Sequence, residues 1–362
     1  MTDYRYIFGS LLNERTIAEI PLYGVYMDLE LNVGGRFDGS YQLDIPGLSN
    51  QTMLDATVPG RTWVCCERNG NPVWIGYVWS RTYQSQAKTM QIYAQSFEYF
   101  PSHELIETTW SVGDEQLVLF KALWNDLQST GPRNMNIVIP TATPPTVVQK
   151  AVVVEATDFK YYDELMSSLS DSSNGFDWTI DVAKSGVGYV KTLRYGYPTL
   201  GNPNPSRLTF EYPGPILNYY ATESMSEAGT NVFTLGAGEG STMIYSQVIH
   251  QDLLDTGSPR WDITSSRKDI DVQATLNAFA IQEAAIRRAP ALVVKPSLKS
   301  QQDPEFGSFG LGDACNLVVT DARFPTGAVF PTRITKWALS PQSADDSDEY
   351  SLFFAGDEAS VN

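Results

Sequence analysis

The chain has 362 residues, 42% of them hydrophobic and only 19% charged, a composition typical of a folded protein of two or three domains rather than a disordered one. Its 42 acidic and 25 basic residues give a net charge of −17, which argues against a surface that grips nucleic acid through phosphate contacts. No segment is apolar over the roughly 20 residues that a membrane helix needs, and no signal-peptide pattern opens the chain, so we expect a protein without a membrane span that is made in a cytoplasm.

The first region, residues 1–105, is predicted to be a β-barrel or sandwich. Apolar residues alternate with polar ones between Leu22 and Leu31, which indicates a half-buried strand. A hairpin follows, with strands Thr62–Arg68 and Val73–Tyr83 joined by a turn at residues 69–72. A further strand is predicted at Lys88–Ser96.

Residues 106–205 are predicted to form a smaller α+β unit. Asp114 is expected to cap a helix that carries apolar residues at helical spacing, namely Leu117, Phe120, Leu123, Trp124 and Leu127. A second helix is predicted at Asp158–Leu169. The strands predicted in and just beyond this unit are Met135–Pro140, Ala151–Glu155, Phe176–Ala183, Tyr189–Tyr195 and Arg207–Tyr212.

Residues 206–362 are predicted to form a second barrel or sandwich with one long helix laid against it. That helix runs from Asp269 to Ala289, where Pro290 stops it, and its apolar face is Val272, Leu276, Phe279 and Ile286. The flanking strands are Leu217–Thr222, Asn231–Gly236, Ser241–His250, Leu292–Lys295, Ala314–Thr320, Val329–Leu339 and Glu349–Phe354. The chain ends in an acidic segment with Asp345, Asp346, Asp348, Glu349, Asp357 and Glu358. The predicted fold class is therefore mainly β with some α, an α+β protein.

The sequence offers little to catalysis. His103 begins a pattern like the zinc-protease motif H-E-x-x-H, but Glu107 stands where the second histidine ligand must be, so a surface histidine is expected. His250 ends a predicted strand with no nucleophile in a recognisable frame. No serine lies in a G-x-S-x-G elbow. We therefore predict no catalytic residues, no metal site, no cofactor and no enzymatic activity.

Two other features have simple structural explanations. The glycine run Gly236–Gly240 lacks the spacing of a phosphate-binding loop and is expected to be a turn between strands. Cys65, Cys66 and Cys315 fit neither a disulfide framework nor a metal motif, and buried thiols are expected; the role of the adjacent pair Cys65-Cys66 is left open.

Carbohydrate binding or cleavage is the alternative function. Pairs of carboxylates suited to glycoside hydrolysis occur by chance among 42 acids, so they carry no weight. The eight tryptophans could line a sugar groove, although their apolar neighbours favour core packing. Whether these indoles are buried discriminates between the two interpretations. They are Trp63, Trp74, Trp79, Trp110, Trp124, Trp178, Trp261 and Trp337.

Two blocks of sequence resemble a known family. In the block Arg61–Ile106, the turn Arg68-Asn69-Gly70 leads to a strand Trp74-Ile75-Gly76-Tyr77-Val78, then a polar hairpin and an aromatic-rich segment. The segment Arg260–Ala289 is followed by Gly312-Asp313-Ala314-Cys315 and by Thr332-Arg333-Ile334. The first block is similar to the N-terminal signature of minor tail proteins of long-tailed phages that infect actinobacteria, and the second order of elements resembles the end of tail-tip hub proteins.

This resemblance implies a structural virion protein at the tail tip, or baseplate hub. It implies that residues 1–105 and 206–362 are tail-tube-like barrels, and that three subunits form a homotrimer whose six barrels continue the tail tube. The implied partners are the distal tail ring and the downstream minor tail proteins that attach to the host, and DNA passes through the ring during ejection without specific binding. The acidic net charge agrees with such a bore, because Lys and Arg facing the duplex would retain it.

Overall fold

The computed structural model describes residues 2–129, 131–142, 144–146, 148–171, 174–186, 188–268, 270–288, 291–299, 302–341 and 349–354. Contacts divide the described residues into two compact units, one formed by residues 2–218 with 296–354 and the other by residues 219–295. The chain leaves the first unit along one strand and returns along another, at Ile216–Ser224 and Ala291–Lys299. The predicted division at residues 105 and 205 follows chain order instead, and it stays a prediction.

The elements make the protein mainly β with some α, as predicted. The strands are β1 (Tyr4–Ser10), β2 (Thr16–Glu19), β3 (Tyr23–Glu30), β4 (Arg36–Gln42), β5 (Thr62–Arg68), β6 (Asn71–Gln84), β7 (Thr89–Ser96), β8 (Trp110–Glu115), β9 (Ile137–Val138), β10 (Gln149–Val154), β11 (Asp177–Ser185), β12 (Gly188–Gly196), β13 (Thr209–Tyr212), β14 (Ile216–Ser224), β15 (Asn231–Leu235), β16 (Tyr245–Ile249), β17 (Asp262–Ser266), β18 (Ala291–Lys299), β19 (Ala314–Val319), β20 (Ala328–Ser340) and β21 (Glu349–Phe354). The α-helices are α1 (Asn50–Ala56), α2 (Gln116–Leu127), α3 (Tyr162–Ser170), α4 (Gln251–Asp255) and α5 (Gln273–Ile286).

One large sheet joins strands from both ends of the chain. Within the described residues it has 13 strands, in the order β14-β18-β21-β20-β3-β4-β7-β6-β5-β1-β2, with β19 and β13 branching from β20. The long strand β20 makes this possible, because Ala328–Arg333 pair with β19 while Lys336–Leu339 pair with β3. The two strand-rich ends of the chain are therefore hydrogen-bonded to each other.

The N-terminal part of this sheet curls around a core. Tyr6 on β1 and Phe37 on β4 are separated by three strands, a distance of about 19 Å in a flat sheet. Their ring centroids nevertheless lie 6.0 Å apart, and Phe37 lies 5.2 Å from Trp74 on β6. Tyr41 is also buried, and its hydroxyl shares a hydrogen bond with the hydroxyl of Thr57, just after α1. This part of the sheet is therefore strongly curved, whereas the separate barrel domain at residues 1–105 stays a prediction.

The predicted hairpin of β5 and β6 is confirmed. Arg68 pairs directly with Asn71, so the turn is only Asn69-Gly70, and both residues have positive φ (50° and 79°). This is the geometry that two-residue hairpins prefer and that Asn-Gly adopts at little cost.

A second core lies among the C-terminal strands of the first unit. Phe306 is packed edge-on against Trp337 and Tyr350, each at 5.2 Å between centroids, and Phe309 packs in the same way against Phe210. These aromatics join β13, β20 and β21 to the segment after residue 302.

Residues 106–205 supply helices α2 and α3 and the sheet β11-β12-β9, which pack on the outside of β1, β5 and β6. All five apolar residues predicted to face the core from α2 are buried. The predicted cap is wrong, however, since Asp114 belongs to β8, where it pairs with Lys150, and α2 begins at Gln116. The predicted helix at 158–169 begins later, at Tyr162, because Phe159 adopts a left-handed conformation (φ 51°) that ends the short 3₁₀ turn Ala156–Asp158.

The second unit contains the sheet β16-β15-β17 with α5 packed on β15 and β16. The predicted long helix is present, and its predicted apolar face is half right: Leu276 is buried and Phe279 partly buried, but Val272 and Ile286 are exposed. Its buried residues are Leu276, Ala280, Glu283 and Ala284, whereas Val272 and Ile286 are 54% and 78% exposed. Leu276 and the small alanines pack against the sheet, whereas Ile281 and Ile286 are exposed. The predicted helix ends Asp269, Ala289 and Pro290 lie outside the described residues, as do Asp345, Asp346, Asp348, Asp357 and Glu358.

Candidate functional site

His103 lies at the surface, as predicted, at the end of the 3₁₀ helix Phe97–His103. Its ring stacks on Trp79 with centroids 4.3 Å apart, and its Nε2 lies 3.1 Å from Oε1 of Gln95. Partial burial lowers the pKa of this imidazole below its usual 6.5. Glu107, which replaces the second ligand of the zinc motif, forms a 2.8 Å ion pair with Arg133.

His250 is largely buried and has a structural role. Its Nε2 lies 2.9 Å from the carbonyl oxygen of Ala284 on α5, and because a carbonyl only accepts, the Nε2 carries the proton. Its backbone N–H donates to the carbonyl of Thr230. Both ring and backbone therefore fix the start of α4 within the second unit.

The other sequence features have the predicted simple explanations. Residues 236–244 connect the antiparallel strands β15 and β16, with a short 3₁₀ turn at Gly240–Thr242. The three cysteines are buried and form no disulfide among the described residues, and burial raises the pKa of the Cys315 thiol to about 12.

In the described part of the chain, no group of three or more His, Cys, Asp or Glu side chains is placed to hold a metal ion. The same residues include no helix that is long and apolar enough to cross a membrane.

Most tryptophans are core residues. Five indoles are at most 8% exposed, namely Trp63, Trp74, Trp124, Trp178 and Trp337. Trp79 and Trp261 are 45% and 54% exposed, but one face of Trp79 is already occupied by His103. The indoles therefore do not form the exposed sugar platform that the carbohydrate alternative needs.

The outer face of the large sheet is divided into two parts. On β1, β5 and β6 it carries Ile7, Trp63, Cys65, Ile75 and Tyr77, which are buried in one core with α2, α3 and β11; we call this the covered face. On the neighbouring strands the same side of the sheet is polar and lies outside this core. We call it the open polar face, formed by Tyr26, Asp28, Glu30, Arg36, Asp38, Ser40, Ser80, Thr82, Gln91, Tyr93, Gln95 and Lys336.

The charges of the open polar face are nearly balanced, with carboxylates in slight excess. Asp28 lies at its centre and accepts hydrogen bonds from the hydroxyl of Tyr26 (3.0 Å) and the backbone N–H of Arg36 (2.8 Å). Lys336 reaches Glu30 at 2.9 Å. The cations are therefore held by carboxylates on the same face, which leaves no concentrated positive potential there.

Buried charges connect the middle segment to the sheet. Glu98 on the 3₁₀ helix accepts hydrogen bonds from Oγ1 of Thr179 (3.0 Å) and from the backbone N–H of Ile180 (2.7 Å). Its complete burial raises the pKa of the carboxyl above the usual 4.5. Glu67, 1% exposed, accepts a hydrogen bond from the hydroxyl of Tyr189 (2.6 Å) and forms an ion pair with the ammonium group of Lys184 (2.8 Å). Such pairs position β11 and β12, and sequence patterns gave no sign of them because their partners lie far apart in the chain.

A cleft of about 610 Å³ opens beside Glu98. Its walls are the turn and first residues of β6 (69–75), residues 179–182 of β11 and the segment 305–311. Arg68 crosses one end and donates to the carboxylate of Glu305 (3.1 Å) and the carbonyl of Phe306 (3.0 Å). The volume is that of a small-ligand or peptide site.

The second unit exposes several large apolar side chains. Tyr245 and Ile249 on β16 are 56% and 46% exposed, and Ile281 and Ile286 on α5 are 65% and 78% exposed. Val272, the residue just before α5, is 54% exposed.

Comparison with known proteins identifies the fold. No protein-family model matches the sequence, and none of the curated proteins matches it. Among solved structures, the 43 kDa tail protein of prophage MuSo2 from Shewanella oneidensis superposes with a TM-score of 0.60 at 10% identity over 99% of both chains. A tail protein from Neisseria meningitidis gives 0.57 at 12% identity over 96% of both chains. The prophage tail protein gp18 from Listeria monocytogenes gives 0.54 at 10% identity, over 96% of this chain and 94% of that one. The chain therefore has the fold of phage and prophage tail proteins over essentially its whole length.

Proposed function

We propose that this protein is a structural component of a phage tail, specifically the tail-tip hub of a long-tailed phage, located at the virion tail tip. The observation that carries the proposal is the superposition on a prophage tail protein over 99% of both chains, because it includes the large sheet, the middle segment and the second unit together. The sequence resemblance of residues 61–106 and 260–289 to minor tail and hub proteins supports the finer assignment, including an actinobacterial host. A role in building the tail requires no catalysis and no cofactor.

We further propose that three copies form a ring that continues the tail tube. The exposed apolar side chains of β16 and α5 favour association, since contact with a partner would remove their surface from water. A permanent assembly of this kind buries roughly 2,000 Å² or more per contact. The ring anchors the distal tail ring on one side and downstream minor tail proteins on the other.

The open polar face is our candidate for the lining of the bore. It is broad, since it spans five neighbouring strands, and its few cations are paired with carboxylates. Such a surface does not retain DNA, because retention requires Lys and Arg to replace the counterions of the phosphates. DNA then passes through the ring without specific binding.

The test is the stoichiometry and symmetry of the purified full chain. Light scattering coupled to size exclusion is expected to give the mass of three chains of 40.1 kDa each, and electron microscopy a ring with the open polar face toward its axis. The same measurement is also made on tail particles. A copy number that is not a multiple of three in the particle contradicts the proposal.

A further inference from the structure

Strand β11 has a partly free edge inside the cleft. In the described part of the chain, the sheet order β11-β12-β9 leaves one side of β11 without a neighbouring strand. The backbone N–H of Ile180 donates to Glu98, away from β12. Because backbone groups in an antiparallel strand alternate in direction, those of residues 178, 180 and 182 all point to this free side, whereas those of Thr179 and Asp181 bond to β12.

The first part of this edge is closed by side chains and the next part is not. The backbone N–H of Trp178 donates to the side-chain oxygen of Asn32 (2.7 Å), and the backbone N–H of Asn32 donates to the carbonyl oxygen of Trp178 (3.0 Å). The N–H of Ile180 donates its hydrogen bond to the carboxyl group of Glu98. Among the residues that the structure describes, none hydrogen-bonds to the carbonyl of Ile180 or to the N–H and carbonyl of Val182. Both residues, Ile180 and Val182, line the cleft.

We propose that this cleft binds an extended segment of another polypeptide, which adds as a strand to the free edge of β11 at Ile180 and Val182. Strand addition to an exposed sheet edge uses the main-chain groups of both partners. The expectation that the segment belongs to a neighbouring tail protein rests on the proposed function; the pairing itself does not.

The walls define the side chains of the segment. Side chains of the bound segment that point to the same face as Ile180 contact the apolar core to which Ile75 also belongs. Residues on the other side meet the half-exposed ion pair of Asp181 and Arg194 (2.7 Å). The segment therefore alternates apolar and polar residues.

Charge favours uncharged polar positions in the segment. Two of the three carboxylates that line the cleft are paired with the two guanidinium groups, Asp181 with Arg194 and Glu305 with Arg68. The third, Glu98, is buried and accepts a hydrogen bond from the N–H of Ile180. The polar positions are therefore expected to be uncharged.

The experiment selects peptides from a random heptapeptide library on the purified full chain, with the Val182→Pro chain as counter-selection. Proline removes the outward N–H without breaking a bond to β12, and edge strands tolerate it there. The selected peptides are expected to alternate apolar and polar residues. They are expected to bind the Val182→Pro chain at least about tenfold more weakly than the wild type, because one main-chain hydrogen bond between peptide and β11 is lost. Val182→Ala, the matched control, keeps the N–H and is expected to bind within about threefold of the wild type.

Two further measurements keep the outcome decisive if Val182→Pro perturbs the fold. Two versions of the selected peptide are made, one N-methylated at its odd-numbered amides and one at its even-numbered amides. Only the parity whose N–H groups point toward β11 is expected to lose binding when methylated. Hydrogen exchange of the Val182 amide is expected to slow on binding, while that of Asp181, already bonded to β12, does not change. The proposal is overturned if no selected peptide depends on the Val182 N–H, or if both parities of N-methylation are tolerated. The isolated chain suffices for this test, so failure of ring formation does not affect it.

Discussion

The covered face and the open polar face belong to the same side of one sheet, yet they differ in nearly every side chain. On β5 the outward residues are Trp63 and Cys65, both at most 1% exposed, whereas on β7 they are Gln91, Tyr93 and Gln95. The difference lies in what covers them, since α2, α3 and β11 pack only on the first group. A sheet face thus becomes apolar where the chain returns to cover it and polar where it does not.

The comparison predicts opposite sensitivities for the two parts. Replacement of Trp63 by Ala removes a buried indole that packs edge-on against Tyr189, and it is expected to lower the free energy of unfolding by about 3–5 kcal/mol. Gln91→Ala, on the open polar face, is expected to change it by no more than about 0.5 kcal/mol. Urea titration of both variants measures the difference. Equal losses would show that the open face is also a packing surface in the isolated chain.

Glu98 sharpens the comparison because it is a carboxylate in the covered region. Its pKa is raised by burial, so the folded state retains the proton above the usual 4.5. The stabilisation present below pH 4.5 is therefore lost as the pH rises through the folded pKa. Glu98→Gln stays neutral, and its free energy of unfolding relative to the wild type is expected to increase from pH 4 to pH 7. Urea titrations at several pH values measure this trend, and a flat difference would contradict it.

Much of the fold was accessible from sequence because local patterns determine it. The hairpin of β5 and β6, the buried face of α2 and the strand Glu349–Phe354 follow from alternation, helical spacing and turn residues. The pairing of β20 with β3 was not accessible, since residues about 300 positions apart form it. The face of α5 was predicted from its largest apolar residues, but its close packing uses Ala280 and Ala284.

The candidate sites were less accessible than the fold. The absence of a zinc motif at His103 could be judged from Glu107 alone. The free edge of β11 could not, because it depends on Asn32 and Glu98 closing the neighbouring groups from distant parts of the chain. A polar side chain in a β-strand also has the same appearance in sequence whether it faces bulk water or the bore of a ring.

Reversing the charge of the open polar face tests its proposed role in the bore. In the double variant Ser80→Lys, Gln91→Lys, each side chain is exposed and the fold is expected to be unchanged. Added cations facing DNA are expected to slow genome release by about tenfold, with the defect shrinking as salt rises, because counterion release is salt-dependent. The matched control is Ser80→Glu, Gln91→Glu, which is expected to release DNA at the wild-type rate. Equal behaviour of the two variants would place this face outside the bore.

The smallest expected effect is at the boundary between the two faces, where His103 contacts both. Its ring packs edge-on against Tyr77 of the covered face, with centroids 6.2 Å apart, and its Nε2 meets Gln95 of the open polar face. His103→Ala leaves these neighbours accessible to water, so the loss of stability is expected to be under about 1 kcal/mol, and infectivity is expected to stay within a few-fold of the wild type.

The pH dependence of this small effect separates packing from chemistry. Because partial burial lowers the pKa of His103 below 6.5, the unfolded chain binds the proton more readily, and the wild type loses a little stability as the pH falls through 6.5. His103→Ala removes that component, so the two proteins are expected to converge in stability at acidic pH. Thermal unfolding between pH 5 and pH 8 measures it. A large loss of infectivity at unchanged stability would instead reveal a chemical role for the imidazole and contradict the proposal that the chain acts only as a structural part of the tail.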